Sequence, residues 1–137
     1  MVRVIMGVKG SGKTKQMIEM INGAVHSENG DVVCIERGSK LTYDIHSKIR
    51  LVDASSYDMD SFTFFKGFLS GLYAGNYDIS HIFIDGLCRI VRSDAGDPKV
   101  EEFLDWLNSF SEDNRLKFTI TISADAAFAS DGMKKYF

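Results

Sequence analysis

Among its 137 residues the chain holds one proline, one tryptophan, two cysteines and three histidines. Each scarcity removes a class of function. Cys34 and Cys88 belong to no C-x-x-C pair and no Cys/His cluster, which excludes a zinc site and a disulfide framework. Each lies in or beside an apolar run, so both read as buried free thiols of a reducing compartment. His26, His46 and His81 are scattered and take no ligand role. No apolar run approaches the ~20 residues of a membrane-crossing helix. Met1 to Met6 lacks the basic region and apolar core of a secretion signal. A soluble, cytoplasmic protein with no membrane partner is the expectation. Sixteen basic against nineteen acidic residues leave a net charge of −3 and a pI near 5.6, so no broad nucleic-acid surface is indicated.

What remains is an ordinary globular composition, 45% apolar and 26% charged. The length fits one domain spanning residues 1–137. Val2–Met6 is short, β-branched and stopped by Gly7, which predicts a buried strand. From Lys13 the residues Met17, Met20, Ile21, Ala24 and Val25 recur at helical steps, and Asn29-Gly30 ends the helix. Val32–Ile35, Ile49–Val52, His81–Asp85 and Leu116–Ser123 read as further strands. Between them Phe62–Ala74 and the segment opened by Pro98 read as helices. The segment from Arg92 to Asp97 reads as a polar loop, and Asp125–Phe137 as a short helix or irregular tail. Strands apolar on both faces, alternating with helices, predict a parallel sheet covered on both sides. The aromatic set Phe62, Phe64, Phe65 and Phe68 is read as core packing, with an exposed partner face as the alternative.

Two segments carry chemistry. Gly7-Val8-Lys9-Gly10-Ser11-Gly12-Lys13-Thr14 satisfies G-x-x-x-x-G-K-[ST] between a strand and a helix, the context that gives this pattern meaning. Glycines let successive N–H groups turn toward phosphate oxygens, and the helix adds its positive end beneath them. Lys13 brings a full charge to the β- and γ-phosphates, and the Thr14 hydroxyl can ligate Mg²⁺. Ile82-Phe83-Ile84-Asp85 delivers a carboxylate to the same sheet edge, where it can hold the metal's water shell.

Together these segments resemble the Walker A and Walker B motifs of the P-loop NTPases. The organisation is most similar to the additional-strand branch, which includes RecA-like ATPases and thymidine kinases. The resemblance implies a three-layer α/β P-loop NTPase fold with about five mostly parallel strands. It implies ATP and Mg²⁺ as ligands, with a protein partner or a second copy as companion. It makes Ser123, and Thr121 close behind, the candidate sensor of the γ-phosphate; a strand-edge serine with no ligand is the alternative. Where many relatives carry a glutamate after the Walker B aspartate, this chain has Gly86. RecA-like proteins place the catalytic glutamate at the end of a strand read as neighbouring the P-loop strand. Glu36 stands comparably, as base or as a solvated strand end. Lys9 stands one position away from the extra loop lysine of partitioning-type ATPases, so it counts only toward the local positive field. No N-K-x-D is present to read guanine, which favours ATP over GTP. Arg89 and Arg92 are candidates for a second substrate or a neighbouring subunit's nucleotide. The expected activity is slow, Mg²⁺-dependent hydrolysis. A small-molecule kinase, with its acceptor near Asp53, Arg89 and Arg92, and a non-hydrolysing binding module are the alternatives.

Overall fold

The computed structural model describes all of residues 1–137. Ten regular elements follow the chain. β1 (Val2–Gly7) leads through the glycine loop to α1 (Lys13–Ser27), then β2 (Asp31–Glu36) and β3 (Arg50–Asp53). Next come α2 (Phe62–Gly75), β4 (Ile79–Asp85), α3 (Leu87–Val91) and α4 (Pro98–Asn114), and finally β5 (Lys117–Ser123) and α5 (Asp131–Lys134). The strands form one sheet in the order β1-β5-β4-β2-β3, and every pairing is parallel.

Parallel pairing brings all five carboxyl ends to one edge of the sheet. The side-chain period of two then sorts the strands into two faces. Val33, Ile35, Val52, Ile82, Ile84, Phe118, Ile120 and Ile122 point to one side, where they join Phe65 and Leu69 of α2 and Val100, Phe103, Leu104 and Leu107 of α4 in the larger core. Phe65 and Phe103 stack there with ring centroids 5.7 Å apart. Val32, Cys34 and Phe83 point the other way, against Met17, Ile21 and Ala24 of α1 and Leu41, Ile45 and Ile49 of the loop before β3. The result is a three-layer α/β fold.

The polar strand residues follow the same parity. Glu36 shares a face with Val32 and Cys34, Asp85 with His81 and Phe83, and Ser123 with Thr119 and Thr121. All of them lie on the side that α1 covers. At the far end of that face His81 stacks on Phe83 at 4.0 Å, its Nε2 is 2.9 Å from Thr119 Oγ1, and Glu28 stands beside it holding Lys117 at 2.8 Å.

The helices end where their sequences supply caps. Ser61 accepts from the Phe64 N–H to open α2, and Asp97 accepts from the Lys99 N–H ahead of Pro98 to open α4. The polar stretch from Arg92 to Asp97 is a loop, as read from the sequence, but the sequence reading does not contain the element that precedes it, α3, five residues long. Its Leu87, Ile90 and Val91 are buried, and it is bracketed by left-handed residues, Gly86 at φ 74° and Arg92 at φ 54°. Of the phenylalanine set, Phe65 is fully buried, Phe62 and Phe68 are half-buried, and Phe64 is exposed. Cys34 is buried and Cys88 half-buried, both as free thiols.

Candidate functional site

The loop between β1 and α1 takes its shape from two glycines. Gly10 at φ 85° and Gly12 at φ 88° occupy left-handed backbone, where a side chain would be strained. Gly7 closes the turn from the other end, since a Cβ there would meet Ser11 Oγ at 2.6 Å. Gly12 caps α1 with no side-chain hydrogen bond, so the first N–H groups of the helix face outward into the loop. Lys13 lies back across the loop, only 9% exposed, and donates from Nζ to the Val8 carbonyl at 3.0 Å. This bond closes a ring of backbone around a small concavity.

A cleft of about 470 Å³ opens over this loop. Lys9, Gly10, Gly12, Lys13, Thr14 and Lys15 line it from the loop and the first turn of α1. Asp85 comes from the end of β4, Ser123 from the end of β5, Arg89 from α3 and Lys40 from the segment after β2. Five of these side chains are cationic and one is a carboxylate. Such a wall favours a polyanion, and Asp85 is its one acidic side chain.

Asp85 is held in place by its neighbours. Thr121 Oγ1 donates to its Oδ1 at 2.6 Å and itself accepts from the Gly86 N–H at 2.8 Å. The other carboxylate oxygen has no partner within the protein and is left to face the cleft. Ser123 stands in register with Gly7 because β5 pairs with β1, and so it reaches the root of the loop.

Glu36 differs from its sequence reading in two respects. β2 does not adjoin β1, from which β5 and β4 separate it; it pairs with β4, and Glu36 is in register with Asp85. Nor is Glu36 solvated, being 4% exposed with Oε2 accepting from the Leu41 N–H at 2.8 Å. Burial pushes its carboxyl above the usual range, and the neighbouring Asp85 adds to this, against the lowering by the Leu41 N–H and Arg89. It stands beside the cleft without lining it.

Asp53 and Arg92, considered from sequence as flanking an acceptor, are not in the cleft. Asp53 Oδ1 is occupied by the N–H groups of Gly38 and Ser55 and by the Ser55 hydroxyl. Arg92 lines separate depressions, one of them with Arg37, Asp58 and Asp60. Lys15 and Lys40 were not singled out from the sequence. Lys15 directly follows the phosphate-loop motif, and Lys40 follows the strand that ends in Glu36. Isolated lysines at such places are too common in loops and first turns to stand out.

Among solved structures, a KaiC-like protein from the hyperthermophilic archaeon Pyrococcus horikoshii superposes with a TM-score of 0.66 at 18% sequence identity, covering 98% of this chain and 67% of that one. The chain has the fold of that KaiC-like protein. No protein-family model matches the sequence, and no curated protein does so. At that identity the likeness carries the architecture alone, and the chemistry rests on the residues of the cleft. No helix is long and apolar enough to cross a membrane.

Proposed function

We propose that residues 1–137 act as one nucleotide-binding domain that takes ATP with Mg²⁺ and hydrolyses it slowly. It would serve as an ATPase or switch working with a protein partner or a second copy of itself. The observation that carries the reading is the meeting in one cleft of the glycine-shaped loop, Lys13, Thr14 and the fixed carboxylate of Asp85. The glycine loop and the start of α1 suit phosphate oxygens, and Lys13 can exchange its bond to the Val8 carbonyl for a charge-assisted one. Thr14 and Asp85 would hold Mg²⁺, since they offer the oxygen donors that this hard cation prefers. When bound, Mg²⁺ neutralises charge on the β- and γ-phosphate oxygens.

In hydrolysis, water forms the new O–Pγ bond and the bond from Pγ to the bridging oxygen breaks. That oxygen leaves on the β-phosphate with the electron pair. The proton of the water passes, through one intervening water, to the Glu36 carboxylate beside the cleft, which its burial makes a stronger acceptor when ionised. Gly86, at the position after Asp85, offers no carboxylate, which fits slow turnover.

The direct test is calorimetry with Mg·ATP on the wild-type and Lys13→Ala proteins. Removing the charge-assisted contact should cost about 1.5–3 kcal/mol of binding, with the fold retained by circular dichroism. Unchanged affinity in a folded Lys13→Ala protein would reject the reading.

A further inference from the structure

We infer that Arg89 is the cation that stabilises the γ-phosphate charge from within the same chain, its guanidinium lying over Gly86 where a side chain following Asp85 would otherwise project. The inference rests on the nucleotide-binding reading above and adds a catalytic residue to it.

Three observations converge. A Cβ built on Gly86 would lie 2.7 Å from Arg89 Nη2, 2.8 Å from Nε and 3.2 Å from Cζ, so the guanidinium packs over the buried glycine where a side chain would project. The backbone there is left-handed, φ 74°, which disfavours a side chain on independent grounds. Arg89 lines the same cleft as Lys13, Thr14, Asp85 and Ser123.

Arg89 is also anchored at its backbone and uncommitted at its tip. Its N–H donates to the Gly86 carbonyl at 3.0 Å, its own carbonyl accepts from Arg37, and the adjacent Ile90 is buried. The guanidinium, by contrast, is engaged in none of the protein's hydrogen bonds or ion pairs. Its planar fork of donors is therefore available to an acceptor with several oxygens. During transfer the developing charge spreads over the equatorial γ-oxygens, and a guanidinium beside them lowers the barrier. The position a carboxylate base would take after Asp85 is thus given to a cation, and the proton-accepting task is left to Glu36 on the adjoining strand. Arg92 does not share this role, since it lines other depressions.

The test uses the full chain and two variants, Arg89→Ala and Arg89→Lys, with circular dichroism confirming the fold of each. The first measurement is the affinity for ADP and for a non-hydrolysable ATP analogue, both with Mg²⁺. Arg89→Ala should lose at least tenfold in analogue affinity while ADP affinity changes little. The second is single-turnover phosphate release, which should fall on the order of 10³-fold in Arg89→Ala and be rescued only in part by lysine. The third mixes Arg89→Ala with Lys13→Ala, which lacks the binding lysine but keeps its arginine. Action within one chain predicts no recovery of turnover on mixing. Recovery would assign Arg89 to a neighbouring subunit's site and overturn the inference, as would equal losses for ADP and the analogue. If the wild type binds nucleotide without turnover, the hydrolytic reading fails while the affinity comparison still decides the contact of Arg89. If it binds no nucleotide, both readings fall.

Discussion

The Thr121 hydroxyl donates a 2.6 Å hydrogen bond to Asp85 Oδ1 while accepting a 2.8 Å bond from the Gly86 N–H. One side chain on β5 therefore sets both the carboxylate at the end of β4 and the backbone that turns away from it. Thr121→Val keeps the shape but strands a buried N–H and frees the carboxylate, which should cost about 1–3 kcal/mol of stability by denaturant titration. Nucleotide affinity should fall more in Mg²⁺ than in EDTA, as it should for Asp85→Asn, whereas Thr121→Ser should restore most of it. Equal losses in the two conditions would assign Thr121 and Asp85 a purely structural role.

Glu36→Gln should slow phosphate release by about 10²-fold or more and leave ATP affinity unchanged. The amide preserves size and can still accept from the Leu41 N–H, but it cannot take the proton from water. Equal rates in a single-turnover comparison would remove Glu36 as the base.

His81 makes the fold sensitive to acid. Burial lowers its pKa from 6.5 to about 4, with Glu28 opposing the shift and Lys117 reinforcing it. A folded-state value below the unfolded one means that the stabilisation is complete above about pH 6.5 and is lost as the pH falls toward 4. The loss from this one group should reach about 3 kcal/mol. Thermal melts from pH 7 to 4 should show it, and His81→Asn, although less stable at neutral pH, should show a shallower decline. A parallel decline in wild type and variant would place the acid sensitivity elsewhere.

Sequence and structure agree where a signal is repeated over many residues. β4 is a nearly continuous apolar run because both faces of a central parallel strand are covered, β5 alternates Phe118, Ile120 and Ile122 with Thr119 and Thr121, and the helical spacing of α1 survives intact. The glycine loop was legible because Gly10 and Gly12 are demanded by backbone geometry at fixed spacing. Strand order was not legible. That β5 enters between β1 and β4, bringing Thr121 to Asp85 and Ser123 to Gly7, follows from crossovers that leave no mark in local pattern. For the same reason Glu36 was read beside the wrong strand. α3 escaped notice because five residues are too few to display a period, and with it went the position of Arg89.

The separation of the sheet's two faces has an experimental consequence. Trp106, the only tryptophan of the chain, lies on α4, stacked at 5.2 Å on Phe110 with the Lys66 ammonium 5.5 Å from its ring. It belongs to the side remote from α1, with the whole sheet between it and the polar strand residues. Its intrinsic fluorescence is thus a reporter of unfolding and is blind to what enters the cleft. A dye or a labelled nucleotide is needed to see occupancy.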